Sequence, residues 1–181
     1  QPKNRKADSA YFFEKTRTEY KTLQRFGTLP SDYYWIETKA NQTKFFYGTT
    51  NGFTQDPNYV LKNGNNPVYW YLSKVVDIWG NSITYYYSKR TNNSLGSLKE
   101  NGISVVLDSI RYTGFGPDPG KYSVRFYSRD GRMDGQLNYK LGVKELDDQL
   151  LDSIVVFYQS ENLRKFAFEY KTGDFHKTLL A

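Results

Sequence analysis

A short phrase, Leu-x-x-(Val/Ile), recurs three times along this chain, as Leu72-Ser73-Lys74-Val75, Leu107-Asp108-Ser109-Ile110 and Leu151-Asp152-Ser153-Ile154. Each copy leads through a turn-rich gap into an alternating strand: Ile83, Tyr85, Tyr87; Tyr122, Val124, Phe126; Phe166, Phe168, Tyr170. A weaker fourth copy lies upstream, where Trp35-Ile36 runs through Asn41-Gln42 to Phe45 and Tyr47. Alternation with period two places every second side chain on one face of a strand. Strand, turn and strand repeated in this way specify a surface assembled from antiparallel hairpins, with no single reaction pocket as its organising centre. The expected buried face carries Ile83, Tyr85, Val124, Phe126, Phe166 and Phe168.

Between these copies the chain is punctuated by breakers. Residues 1–10 are polar and basic and read as a flexible tail, with 11–181 as a single hairpin-repeat region. Tyr11 to Phe26 reads as a Thr- and Tyr-rich hairpin turning near Arg17 to Lys21; helix is the competing reading, because Glu14, Lys15 and Glu19 tolerate it. Tyr33 to Gly48 is the fourth-copy hairpin. Asn51-Gly52, Asp56-Pro57, Asn63-Gly64 and Asn66-Pro67 then demand a long loop or very short strands. Tyr69 to Tyr87 reads as a hairpin whose turn, Asp77 to Asn81, needs Gly80 for its positive φ. Lys89 to Gly102 reads as a polar loop, Val105 to Tyr127 as a hairpin closed by Gly114 to Gly120, Arg129 to Gly142 as an irregular connector, and Leu151 to Tyr170 as the last hairpin. Glu145 to Leu151 is the one place where a helical turn is expected. The class is all-β, an antiparallel hairpin array with almost no helix.

Composition narrows the chemistry. Aromatic residues make up 18% of the 181 positions, with 17 Tyr, which suits half-buried sheet faces and argues against disorder. The net charge of +6 comes from Lys and Arg scattered among Asp and Glu, so it describes a solvated exterior and gives no nucleic-acid footprint. Cysteine is absent, which removes disulfides and thiolate ligands. No apolar run is long enough for a membrane-spanning helix.

Candidate sites are few. His176 is the sole histidine and has no nucleophile motif beside it. Asp130 to Gly135 lacks the alternating oxygen ligands of a calcium loop and reads as a turn held by Arg132 with Asp134 or Asp130. Asp147-Asp148 would point apart on an extended strand, and Gly114 to Gly120 has no helix start to make a phosphate cradle. Neither a catalytic residue, a metal ligand nor a cofactor is expected. The remaining candidates are aromatic: the Tyr69-Trp70-Tyr71 and Tyr85-Tyr86-Tyr87 runs could make a stacking platform for sugars or single-stranded nucleic acid, with Trp70, Trp79 and Tyr86 as its candidate exposed patch, and core packing explains one set of the same rings.

The phrase Asp77-Ile78-Trp79-Gly80-Asn81-Ser82-Ile83-Thr84-Tyr85-Tyr86-Tyr87 resembles a recurring unit of bacterial Rhs and YD-repeat proteins, with Asp77, Gly80, Asn81, Tyr85 and Tyr87 as its structural positions. The preceding Tyr69 to Val75 is similar to the Trp-x-Leu-(Ser/Thr)-x-Ile leader of SpvB-type domains in insecticidal toxin-complex B subunits. Ile110-Arg111-Tyr112 with Tyr122 to Phe126, and Arg132-Met133-Asp134 with Tyr139 and Gly142, resemble two further family phrases. The likeness runs from about Trp35 to Leu180 and is that of a distant member; Asn41-Gln42 lacks the usual turn Gly. It implies a non-catalytic β-sheet shell or scaffold in an exported or surface-bound protein, with the rest of a longer polypeptide or toxin-complex subunits as partners. A surface carbohydrate-binding or adhesion module is the alternative. The Leu179-Leu180 pair is expected to open a further unit, as if the chain were a piece of a longer array.

Overall fold

The computed structural model describes residues 8–13, 20–91 and 102–181. The proposed turn around Arg17, most of the tail and most of the Lys89 to Gly102 loop lie outside them. The chain divides into two compact units, one comprising the residues up to Tyr85 with Tyr112–Gly120, the other Tyr86–Arg111 with Lys121–Ala181. Among the described residues there are sixteen strands and three single-turn 3-10 helices, and no α-helix.

The first unit contains β1 (Ser9–Phe12), β2 (Lys21–Phe26), β3 (Tyr34–Lys39), β4 (Lys44–Tyr47), β5 (Val60–Asn63), β6 (Asn66–Trp70), β7 (Leu72–Val76) and the start of β8 (Asn81–Thr91). Its main ladder is antiparallel in the order β1-β2-β3-β4-β7-β8, while β5 and β6 form a hairpin of their own. The register sets Phe12 opposite Leu23, Leu23 opposite Glu37 and Glu37 opposite Phe45; the next row sets Arg25 opposite Trp35 and Trp35 opposite Tyr47. Ser9 and Ala10, read as tail, belong to β1, and Ala10 is buried.

Turn chemistry accounts for these hairpins. Between β7 and β8, Asp77 Oδ1 accepts the amides of Trp79 and Asn81, each at 2.9 Å, and Oδ2 accepts the Asn81 side-chain amide at 2.7 Å. These bonds, that of the Asn81 side chain first, hold the Asp77 carboxyl below its ordinary pKa. Gly80 closes the turn at φ +90°, as its position demanded. Between β3 and β4 no glycine is present, and Gln42 itself adopts φ +64°, with Asn41 Oδ1 accepting the Thr43 amide at 3.1 Å.

The second unit contains most of β9 (Ile103–Phe115), then β10 (Tyr122–Arg129), β11 (Gln136–Asn138), β12 (Glu145–Asp147), β13 (Leu150–Tyr158), β14 (Glu161–Ala167), β15 (Tyr170–Thr172) and β16 (Thr178–Leu180). Its ladder runs β9-β10-β13-β14. The helical turn expected over Glu145 to Leu151 is instead β12 and the entry to β13. Glu145–Asp147 pairs antiparallel with Gln136–Asn138, Leu146 opposite Leu137, a ladder that only extended backbone makes. The connector before it carries the expected Arg132 to Asp134 contact at 3.2 Å, and Arg132 also reaches Asp147 at 2.6 Å.

Two further expectations are corrected. Ile83 and Phe166 are exposed, and Tyr85, Val124, Phe126 and Phe168 are only half-buried. The strand residues that are fully buried include short hydroxyls, Ser73, Ser82, Ser104, Ser123 and Ser153. A short side chain is covered by its neighbours on the sheet, whereas a ring stands proud of them and needs a second layer to bury it. The Phe166 to Tyr170 strand is also broken: β14 ends at Ala167, Phe168 donates its amide to Asp152 O at 2.9 Å, and Tyr170 opens β15. Leu179 and Leu180 lie in β16 and pair with β15, with Tyr170 opposite Leu180.

Candidate functional site

Residues 48–71 leave the main ladder of the first unit after β4 and return at β7, carrying the β5–β6 hairpin. This excursion builds a groove. Leu23, Trp35, Glu37 and Tyr47, from adjacent strands β2, β3 and β4, line it together with Val68, Tyr69 and Trp70 of β6, and it encloses about 330 Å³. A second depression of about 220 Å³, lined by Phe12, Phe13, Lys21, Leu23 and Glu37, adjoins it, with Leu23 and Glu37 common to both. Trp35 and Glu37 share a face because they are two residues apart on β3, and Tyr47 joins them because it lies opposite Trp35.

The wall is fixed from several sides. Trp70 donates its indole N–H to the Tyr33 carbonyl at 2.6 Å, and Gln55 Nε2 donates to the same oxygen at 2.8 Å. The Trp70 ring meets Trp35 edge-on, with centroids 5.7 Å apart at 80°, and Phe12 packs on the Trp35 ring at 5.4 Å. Gly48 holds φ +70°, and a Cβ there would lie 2.5 Å from Trp70 Cδ1. Only glycine lets the backbone pass so close to the indole. The base of the excursion is closed by Gly48 N–H to Tyr71 O at 3.0 Å and Tyr71 N–H to Tyr59 O at 2.8 Å. The buried Ser73 hydroxyl lies within hydrogen-bonding reach of the carbonyls of Phe46 and Thr49, which share its one proton.

Polar groups in the groove are sparse. Burial first, and then the charge and hydrogen bond of the Glu37 carboxylate, raise the Tyr47 phenol above its ordinary pKa, so it remains a neutral donor and acceptor at physiological pH. Four rings, two of them phenols, and one carboxylate make a surface for stacking and orienting a ligand.

The three aromatic candidates occupy different settings. Trp70 stands in the groove wall. Trp79 is 76% exposed in the β7–β8 turn, next to exposed Ile78, and the Phe115 ring lies 3.5 Å from where a Cβ on Gly80 would be. Tyr86 is half-buried in the second unit, with the Arg111 guanidinium 5.9 Å from its ring centroid. No ring contact joins Trp70 to Trp79 among the described residues. Asp77, Gly80 and Asn81 build their turn, Tyr85 and Tyr87 are half-buried on β8, and Arg132 with Asp134 braces the connector; His176 is exposed in the 3-10 turn Asp174–His176. The sequence reading placed Tyr69 beside Trp70 in a stacking run and named Trp35 and Tyr47 only as hairpin positions; Glu37 was not singled out. One signal was available: Trp35-Ile36-Glu37 places a carboxylate on the same strand face as a tryptophan.

No protein-family model matches the sequence, and no curated protein sequence does. Solved structures do match. The N-terminal domain of the effector protein SpvB from Salmonella typhimurium strain LT2 superposes with a TM-score of 0.76 at 14% identity, over 96% of this chain and 67% of that one. A chain of the Photorhabdus luminescens Tc holotoxin pore gives 0.70 at 9% identity, and a chain of TcdB2-TccC3 without its hypervariable C-terminal region gives 0.68 at 11%. In both, 95% of this chain is covered but only 11% of the other, so this chain spans about a tenth of the length of those toxin chains. The fold is therefore that of an SpvB N-terminal or toxin-complex domain.

Proposed function

We propose that this chain is a non-catalytic structural module of an exported toxin-complex-like protein, contributing hairpins to a β-sheet shell of the Rhs or YD-repeat kind, secreted or held at the cell surface. The observation that carries this is the near-complete coverage of the chain by one fold that recurs inside much longer toxin chains. A module of that sort works by presenting strands and edges to the remainder of its own polypeptide or to toxin-complex subunits, and it needs no reactive side chain. The test is deletion of residues 20–181 from the polypeptide that carries them. Assembly, read by size-exclusion chromatography and electron microscopy, should be lost while any effector domain assayed alone keeps its activity. Turnover by the purified module, abolished by a single substitution in it, would overturn the non-catalytic reading.

A second reading, a surface carbohydrate-binding or adhesion module, is favoured by one observation: the groove between the β2–β4 face and β6 presents Trp35, Tyr47, Tyr69 and Trp70 with a carboxylate among them. The two readings are compatible, since a shell can carry a binding groove on its surface.

A further inference from the structure

We infer that two neighbouring tips of the first unit form a small apolar foot that enters the interfacial layer of a lipid bilayer and needs no anionic lipid to do so. Such a foot goes beyond the structural-module reading and does not depend on it. The tips are the β7–β8 turn, Asp77 to Asn81, and the loop from the end of β9, Phe115 to Gly120. β8 and β9 are neighbours in the ladder, and a Cβ on Gly114 would run into the Ser82 hydroxyl, so the end of β9 lies against the start of β8. Ile78, Trp79 and Phe115 are each more than half exposed, and Phe115 adjoins the turn at Gly80. At about 150–250 Å² for a whole aromatic side chain, the three present roughly 400 Å². A stable protein interface takes about 800 Å² from each partner, so the foot is too small to hold a protein. A bilayer asks for apolar side chains and no matching shape, and tryptophan is enriched at the boundary between membrane and water.

The backbone of both tips is prepared for leaving water, where an amide without a partner is costly. In the turn, Asp77 N–H donates to Asn81 O at 3.0 Å and Gly80 N–H to Asp77 O at 3.2 Å, while the amides of Trp79 and Asn81 donate to the Asp77 carboxylate. In the loop, Phe115 and Asp118 exchange backbone bonds at 2.9 and 3.0 Å, Gly120 N–H donates to Asp118 Oδ1 at 2.9 Å, and Pro117 and Pro119 carry no N–H at all. Most amides of the foot are therefore paired inside it or replaced by proline. Charge decides which lipid. Neither tip contains Lys or Arg, and their ionised groups are Asp77 and Asp118, whose carboxylates are turned back on their own backbone. The flanking lysines are Lys44 opposite Val76, Lys74 on β7, and Lys121 in sequence after Gly120. They offset the two carboxylates and put no cationic cluster at the point of contact, so apolar burial drives binding and a zwitterionic surface suffices. A soluble polyanion needs a positive track and offers no apolar depth, and the foot answers neither requirement.

The experiment floats the purified chain, and in parallel the polypeptide that carries it, with phosphatidylcholine vesicles, with and without phosphatidylglycerol, in about 0.1 M and about 1 M NaCl. Both proteins should float with phosphatidylcholine alone at either salt concentration, and brominated lipid should quench tryptophan fluorescence. Trp79→Ser and Phe115→Ser should each weaken partitioning about tenfold or more. Trp79→Phe should keep most of the partitioning and lose the quenching, because Trp35 and Trp70 stand in the groove. All three variants change exposed side chains, and far-ultraviolet circular dichroism confirms their fold. Flotation that requires phosphatidylglycerol and disappears at high salt would overturn the apolar mode. Absence of flotation at millimolar lipid, or flotation unchanged in both serine variants, would remove the foot altogether. Flotation of the chain but not of the polypeptide that carries it would show the tips covered by the rest of that polypeptide, and a dimer that Trp79→Ser dissolves in sedimentation velocity would put a second copy there; either would overturn the lipid assignment. The structural-module reading stands or falls separately, by the deletion of residues 20–181.

Discussion

The first unit covers part of its sheet and the second leaves its last strand bare. In the first, the excursion over residues 48–71 brings in Tyr59, Val60 and Leu61, which are 5%, 3% and 2% exposed. In the second, every residue of β14, the end of its ladder, is exposed, and among the described residues the strand pairs with β13 alone. Both units use the same hairpin grammar, so the strands do not create the difference. It comes from the insertion between β4 and β7, which supplies the second layer that a sheet needs in order to bury its rings. A sheet edge of that bare kind is also open to further pairing.

The contrast can be broken by substitution. Leu61→Ala should have the largest effect, a loss of about 3 kcal/mol in a denaturant titration followed by tryptophan fluorescence, which reports on the first unit because Trp35, Trp70 and Trp79 all lie in it. Gly48→Ala should come next, at about 2 kcal/mol, because it combines a strained φ of +70° with displacement of Trp70. Phe166→Ala, at a ring 47% exposed on β14, should cost less than about 1 kcal/mol; a loss above about 2 kcal/mol would show that β14 is covered and erase the comparison. The smallest effect is acid-dependent. A hydrogen bond involving the Thr178 side chain first, with Arg132 assisting, lowers Asp134 to about 2 from 3.8. A depressed folded-state pKa means that the stabilisation is complete above the unfolded value and fades as pH falls from about 4 towards 2. Protection of the β16 amides, taken relative to their intrinsic exchange rates, should fall over that window, and Asp134→Asn should abolish the dependence.

How far this could be read from residues alone follows from what each feature depends on. Hairpins over Tyr33 to Gly48 and over the β7–β8 turn were legible because alternation and turn chemistry are local: Asp77 and Gly80 specify their turn within five residues. Gln42 in a left-handed conformation was not, since Asn41 braces the turn in place of a glycine. Burial was misjudged at Ile83 and Phe166, because alternation tells which side chains share a face and is silent on whether anything lies over that face. The groove was half-legible. Trp70 stood out by its leader phrase, but its partners Trp35, Glu37 and Tyr47 are brought to it by where a 24-residue excursion, 48–71, lands, and that is a long-range property.

The Tyr33 carbonyl, which accepts from both Trp70 and Gln55, gives the groove an asymmetric tolerance of substitution. A main-chain oxygen is inherited whatever side chain occupies position 33, so the lock persists through any drift there, while its two keys sit on the excursion and can be exchanged one at a time. Loss of either leaves the other engaged. Descendants of this chain can therefore remodel the wall of the groove in single steps without first losing the point to which it is fastened.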